Sequence, residues 1–462
     1  MNSTINYILS LGSAIFLPIV MIILGLIIKM KPKKAIISGL TLGIAFTAMG
    51  MVLGFMFNSI SPAAGAFVKN TGINLSAIDV GWAPMAAIAW AWPYGLAVFP
   101  IQIGINLLML ALKMTDCLNV DLWNVWGKIF TATLVAAVTG SVPLAFVAVI
   151  IQIVLELKSG DITQKQIYEI TKIPGVACTH PMLIQAAILA PINRLLDFVP
   201  GINKININAQ QLKEKIGVFG ENSVMGFIVG ALIAIFGGFD LKGILNTAMQ
   251  VATALVLFPM VAKLFMQALA PIADAAGTFM KKRFKGRQIY IGLDWPFMAG
   301  QAEIWVAAII LVPFELVFAV LMSKAGLNTV IPLAGIVNVI IIVPALVVTG
   351  GNLVRMIILG LIGTPIFLAV ATSFAPITTS LAKAVGTIEI PKGQFIAFFG
   401  VEMPELRWAL AHGLNIIHGE IVGFIALIGF FGLFLWYAKY MKKRDMGETL
   451  DSEISVNKTQ KI

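Results

Sequence analysis

The chain has 462 residues, 59% of them hydrophobic and only 12% charged, with a mean hydropathy of +0.94 and a formal net charge of +10. That composition excludes a soluble globular domain, and apolar runs of about 18–25 residues without barrel-like alternation define a polytopic helical membrane protein. The Lys and Arg residues cluster in short segments between apolar runs, as cytoplasmic loops do, so the positive charge does not argue for nucleic acid.

In chain order, the first apolar run has no basic n-region and continues into Lys29, Lys31, Lys33 and Lys34, which reads as a membrane span rather than a cleaved signal. Placing that cluster inside puts the N-terminus outside. Spans near 35–57, 95–112, 128–157, 182–199, 224–239 and 243–267 then bring the chain back to the cytoplasm before the basic run from Lys281 to Arg287. Spans near 303–322, 330–349, 353–373 and 419–438 leave Lys439, Lys442, Lys443 and Arg444 inside. Eleven spans, N-terminus out and C-terminus in, fit the charges. The interrupted apolar segment 394–413 reads as re-entrant, 158–174 as a polar outer loop and 200–221 as a polar inner one, and the charged tail after Met446 is expected to be disordered.

An internal repeat runs through this pattern. Ser59-Ile60-Ser61-Pro62-Ala63-Ala64-Gly65 follows the second span, and Ala268-Leu269-Ala270-Pro271-Ile272-Ala273-Asp274 follows the seventh about 209 residues later. Each precedes an Asp, Trp and Pro element: Asp79-Val80-Gly81-Trp82-Ala83-Pro84 in one copy, Asp294-Trp295-Pro296 in the other. One copy lies outside and the other inside, so the halves are related by inversion, as in many transporters. The segments after the two Asp residues, Ala86 to Pro93 and Phe297 to Gly300, are too short and broken to span and read as re-entrant hairpins. Irregular backbone at membrane depth needs protein or water around it, which places a polar cavity between them with Asp79 and Asp294 directed into it. The alternative is that each Asp only caps a hairpin helix.

Other polar residues carry two readings each. His180, in Cys178-Thr179-His180-Pro181, either reaches the cavity or sits at an interface. Asn119-Val120-Asp121-Leu122-Trp123-Asn124-Val125-Trp126 combines groups that stack on a sugar and bond its hydroxyls with the composition of an aromatic interface belt. Glu402, Glu405, Arg407, His412 and His418 crowd the 394–413 segment, as functional intramembrane charges or as a solvated loop. Gly226 and Gly230 form a helix-packing pair. Cys117 and Cys178 stand at no metal-ligand or redox spacing, and there is no nucleotide loop, zinc motif or nucleophile with a base beside it, so neither cofactor nor metal is expected.

The series Leu17-Pro18-Ile19, Ser61-Pro62-Ala63-Ala64, Asp79-Val80-Gly81-Trp82, Asn119 to Asn124, Val199-Pro200-Gly201-Ile202-Asn203, Phe219-Gly220-Glu221, Ile291-Gly292-Leu293-Asp294 and Gly351-Asn352-Leu353 closely resembles the galactitol-type IIC component of the bacterial phosphoenolpyruvate-dependent phosphotransferase system, over about residues 1–440. That family is similar to the ascorbate IIC transporters. The resemblance implies an all-α polytopic fold of about 11 transmembrane helices with inverted repeats and two re-entrant hairpins, in a homodimer in the bacterial plasma membrane. It divides the chain into a V-shaped scaffold (1–57 and 222–270), a moving core (58–199 with a hairpin near 76–93, and 271–440 with a hairpin near 289–302), a cytoplasmic linker (200–221) and a tail (441–462). It implies a polyol substrate, phosphorylated on the cytoplasmic side by a phosphocysteine of a separate IIB subunit that is charged through IIA. Asp294 would be the base or hydroxyl acceptor, and Asp79, Trp82, Trp90, Asn119, Asp121, Asn124, His180, Asp294 and Glu303 the substrate-binding set. The chain departs from the pattern at Gly127, where relatives commonly carry His, and at Ala334 or Gly335 and Gly350, where many carry an acid and Arg respectively. An ion-coupled secondary transporter would use the same Asp and His residues, and an intramembrane transferase or hydrolase would need a catalytic constellation that the sequence does not display.

Overall fold

The computed structural model describes residues 13–70, 75–121, 123–205, 207, 211, 221–283, 288–385, 390 and 393–445. Helices dominate because in a membrane only a helix or a closed barrel satisfies its own backbone. In the first half they are α1 (Ser13–Ile27), α2 (Pro32–Asn70), α3 (Trp82–Trp90), α4 (Val98–Ala111), α5 (Val125–Thr139), α6 (Val142–Thr171) and α7 (Ala186–Leu196). The second half contributes α8 (Asn222–Phe236), α9 (Leu241–Arg283), α10 (Ala302–Lys324), α11 (Val339–Thr349), α12 (Leu353–Val385), α13 (Pro404–Gly413) and α14 (Ile421–Asp445). Among the described residues five helices are long and apolar enough to cross a membrane, and α3 with α4 forms a sixth unit broken by an 88° bend. Several shorter apolar helices accompany them, so the chain is a multi-pass membrane protein.

Two features absent from the all-α expectation organise the interior. Strands β1 (Ala77–Asp79), β2 (Cys117–Asn119), β3 (Val176–Cys178), β4 (Tyr290–Leu293), β5 (Val330–Ile331) and β6 (Phe395–Ala397) form two three-stranded sheets, all parallel, in the orders β5-β1-β6 and β2-β4-β3. Each sheet takes its central strand from one repeat and both edges from the other. The repeats are thereby interlocked: neither half can complete a sheet alone.

The repeat itself is visible in the helix breaks. The α1–α2 turn passes through Lys29 (φ 65°) and the α8–α9 turn through Gly238 (φ 73°). Gly140 closes α5 and Gly350 closes α11 in the left-handed conformation, each followed by a long helix. Helices α1, α2, α8 and α9 pack chiefly on one another, while the remaining helices enclose the sheets.

Several boundaries differ from those read in the sequence. The single span expected at 128–157 is two helices, because Gly140 (φ 66°) ends α5 and the Ser141 hydroxyl accepts from the Leu144 amide to start α6. α6 then runs to Thr171, so most of the expected outer loop 158–174 is helical. The 330–349 span is β5 and irregular backbone before a helix of 11 residues. Ser59 to Gly65 and Ala268 to Asp274 lie inside α2 and α9 instead of following them. The 394–413 segment is β6 and α13, joined through Met403 in a left-handed conformation (φ 44°). Most of the 200–221 linker and the tail beyond Asp445 fall outside the described residues, as does part of the basic run before Tyr290.

Candidate functional site

Parallel sheets in open α/β proteins place ligands beyond the carboxyl ends of their strands. Here both sheets aim those ends at one cavity of about 250 Å³. Every strand delivers part of the wall: Gly81 and Trp82 follow β1, Trp123, Asn124 and Trp126 follow β2, and His180 follows β3. Asp294 to Pro296 follow β4, Ala334, Gly335 and Val337 to Ile340 follow β5, and Phe398, Gly400 and Glu402 follow β6. Phe46, Met49 and Gly50 of α2 complete the enclosure. The volume lies below the roughly 300–1,000 Å³ typical of sites for drug-sized ligands, which suits a solute of sugar size.

Asp294 caps the short 3-10 turn Trp295–Met298, its Oδ1 accepting from the Trp295 amide at 2.7 Å. His180 faces it, with Nε2 3.7 Å from Asp294 Oδ1. The Nδ1 of His180 accepts from the Met182 amide at 3.3 Å, which leaves the ring proton on Nε2 and directs it at the carboxylate. Asn124 sits beside this pair. Its amide nitrogen Nδ2 donates to Asp121 Oδ2 at 2.7 Å and its backbone N–H to Asp121 Oδ1 at 3.2 Å, so Asp121 holds Asn124 in place from behind the wall.

On the β5 side, Asn338 lines the cavity with neither side-chain atom hydrogen-bonded among the described residues, although the residue is only 1% exposed. Buried amides are normally paired, so both atoms are free for a ligand or water. Glu402 brings a second carboxylate to the wall and accepts from Arg407 Nη2 at 3.3 Å. That guanidinium lies over the Phe130 ring at 5.1 Å and contacts the Gly127 carbonyl at 3.4 Å. Trp82 and Trp126 form an aromatic panel with centroids 6.2 Å apart, which Phe398 extends 6.4 Å beyond Trp126. The cavity thus offers carboxylate acceptors, amide groups of both polarities and flat apolar faces, the complement of a solute that carries hydroxyls on a carbon chain.

Of the residues expected from the sequence, the cavity gathers Trp82, Asn124, His180 and Asp294. The expectation that Asp79 shares it is not met. Asp79 is 2% exposed and serves as a clasp: Oδ2 accepts from the Gly335 amide at 2.6 Å, and Oδ1 from Phe399 at 3.1 Å and Gly81 at 3.2 Å. It holds three wall-forming turns together without lining the cavity itself. Asn119 is spent on local backbone, accepting from the Asp121 amide at 2.9 Å. Trp90 stacks on Phe99 at 5.6 Å, away from the wall, and Glu303 lies in the first turn of α10 outside it.

Strand register explains why the two Asp residues differ. Ala77 N donates to Thr329 O as Tyr290 N donates to Asp116 O, which matches Ala77 with Tyr290 and hence Asp79 with Gly292 and Gly81 with Asp294. Asp294 therefore stands two residues further along its strand direction, about 6.5 Å nearer the strand end. The sequence reading missed Asn338 and left Glu402 without a role. A signal for Asn338 was present: Asn124-Val125 and Asn338-Val339 open matching helices, α5 and α11, in the two repeats.

A polar, aromatic-walled cavity closed among membrane helices by interlocked repeats defines a membrane carrier for a small polar solute. The chain belongs, more narrowly, to the sugar-specific permease components of the phosphotransferase system, whose family model matches residues 7–393. It is 34% identical over 438 residues to the galactitol-specific EIIC components of Escherichia coli (strain K12) and Escherichia coli O157:H7, covering 93% of this chain and 95% of each of those proteins. It is also 31% identical over 447 residues, 96% of this chain and 100% of the relative, to a second strain K12 protein described as a permease IIC component.

Proposed function

We propose that this chain binds and translocates a galactitol-like polyol and presents it for phosphorylation by a separate IIB subunit, itself recharged by IIA. The observation that carries this reading is the convergence of six strand ends on one cavity. There Asn124, Asn338, His180, Asp294 and Glu402 meet a Trp-rich wall. In the proposed reaction a substrate hydroxyl hydrogen-bonds to Asp294, oriented by the Nε2–H of His180. As the phosphocysteine of IIB approaches from the cytoplasmic side, Asp294 takes the hydroxyl proton. The substrate oxygen forms the O–P bond while the S–P bond breaks and the thiolate leaves. Asp121 acts in this scheme by fixing Asn124, and Asp79 by fixing the turns at Gly81, Gly335 and Phe399.

We further assign α1, α2, α8 and α9 to a scaffold and the remaining elements to a moving core, in an eleven-span homodimer with its N-terminus outside and its C-terminus cytoplasmic. The mutual packing of those four helices supports the division. The apolar groove along α1 and α2, lined by Ile15, Ile19, Ile22, Leu40, Ile44 and Met51, offers a face that a second copy would cover.

The deciding experiment reconstitutes the purified chain in proteoliposomes with phosphorylated IIB and a labelled polyol. Polyol phosphate is expected only when both proteins are present. Uptake of unmodified polyol that needs no phosphoryl donor and collapses with the proton gradient would overturn the reading.

A further inference from the structure

Matching the strand registers, Ala77 with Val330 and Tyr290 with Cys117, sets Cys117 against Val330, a shift of 213 residues that also holds along the helices leading into those strands. It places Pro100 of α4 on Pro313 of α10, and the left-handed Lys113 (φ 59°) on Gly326 (φ 73°). The turn bond from Met114 N to Met109 O falls on that from Leu327 N to Met322 O, both 2.8 Å. By the same shift Gln102 corresponds to Glu315. Both side chains are buried within their helices, at 1% and 0% exposure.

Their hydrogen bonding differs. Gln102 Nε2 donates to the Asp121 carbonyl, at 3.4 Å, in the turn between β2 and α5. The mate of Asp121 is Ala334, in the turn between β5 and α11. Glu315, by contrast, has neither carboxyl oxygen hydrogen-bonded among the described residues. The charge that acts on it is that of Asp79, another carboxylate, and no Lys, Arg or His among the described residues forms an ion pair with it. An ionised Glu315 would have no donor and would repel the Asp79 clasp, whereas a neutral carboxylic acid supplies one O–H, as the Gln102 amide supplies an N–H.

We propose that Glu315 is a built-in proton site, held as the neutral acid and donating its O–H into the β5–α11 turn at the Ala334 carbonyl, as Gln102 donates to the Asp121 carbonyl in the first repeat. Asp79 is then free to carry the single negative charge of that region and to hold the Gly335 and Phe399 amides, which set the cavity wall. Glu315 is a positioning residue in this scheme and touches no substrate. The inference does not depend on which solute is carried.

The test is infrared spectroscopy of the membrane-reconstituted chain and its E315Q variant. At neutral and mildly alkaline pH the wild type is expected to show a carbonyl band of a protonated carboxylic acid that shifts in D2O and is missing from E315Q, with or without polyol. E315Q is expected to keep the wild-type melting temperature and polyol affinity, because glutamine restores the donor; E315A is expected to melt lower. A band unchanged in E315Q, or no such band in the wild type, would overturn the proposal. So would an E315Q melting temperature as low as that of E315A. If E315A fails to fold, the comparison of E315Q with wild type still decides.

Discussion

His180 presents its Nε2–H to Asp294 across 3.7 Å, and the two residues come from loops that follow neighbouring strands, β3 and β4, of different repeats. The pair exists only because the repeats interlock: β4 lies between β2 and β3, so the loop carrying Asp294 emerges beside the loops carrying Asn124 and His180.

If Asp294 is the proton acceptor, Asp294→Asn should slow phosphoryl transfer from phosphorylated IIB by about 10²–10⁴-fold, the usual range for losing a general base. Polyol binding should change far less, since asparagine still accepts a hydrogen bond. Single-turnover transfer and equilibrium binding, measured on the same preparation, separate the two effects. Full transfer by the variant would remove Asp294 from the chemistry.

Asp79 is expected to behave as a structural clasp. Asp79→Ala leaves the buried amides of Gly335 and Phe399 without their acceptor, at about 1–3 kcal/mol for each orphaned group. The melting temperature in detergent should fall clearly, with less loss in Asp79→Asn, which retains one acceptor oxygen. An Asp79→Ala variant of normal stability that no longer binds polyol would return Asp79 to the ligand set.

Lys128 and Glu156 form an ion pair of 2.6 Å with both side chains at or below 1% exposure, and Gln152 Nε2 donates to the same carboxylate at 2.8 Å. Removing one partner strands the other charge in the interior, so Lys128→Met or Glu156→Leu alone should destabilise by about 3–5 kcal/mol. The double variant should recover much of that loss. A double-mutant cycle on thermal unfolding measures the coupling; additive single effects would contradict the geometry.

Two glycines of the cavity wall should respond differently to Ala. At Gly335 a Cβ would lie 2.8 Å from the Gly400 backbone nitrogen and 3.2 Å from Asp79 Oδ2, so Gly335→Ala must push two wall segments apart. At Gly50 the same methyl meets nothing within 4 Å. Binding isotherms should show a marked loss of affinity for G335A and near wild-type affinity for G50A.

Glu420, in the turn just before α14 and ahead of its membrane-spanning stretch, gives an acid-sensitive contact to His412 of α13 and to Asn415. Partial burial raises its pKa, but hydrogen bonds from Asn415 (2.9 Å) and His412 (2.5 Å) outweigh this and hold it below the ordinary 4.5. A depressed carboxylate stabilises the fold above its unfolded pKa and loses that contribution as pH falls through the folded value. Melting curves of wild type and Glu420→Gln should therefore converge as the pH falls below 4.5, the ordinary value from which the folded pKa is depressed, with wild type the more stable at neutral pH. Parallel curves over that range would exclude the contact as a source of stability.

Much of the architecture was legible in the sequence because it follows from transfer free energy and local geometry. Apolar runs set the helices, and the recurring Asp, Trp and Pro elements exposed the repeat. The motif series pointed to the permease family that the comparisons established. Four of the expected site residues, Trp82, Asn124, His180 and Asp294, do meet in one cavity. The strands were not legible: three-residue strands inside apolar runs have no period that distinguishes them from helix. The Gly140-Ser141 break did carry its signal, a glycine before a serine cap and a proline, inside what otherwise reads as one long span.

By itself, then, the sequence determined that this chain lives in a bilayer, that it is built twice, and which residue types could meet a polar solute. Only the tertiary structure decided which of the two carboxylates lines the cavity. Strand exchange between the repeats fixes the register, and a two-residue offset along an extended chain, about 6.5 Å, separates a group that ties backbone amides from one that faces the cavity.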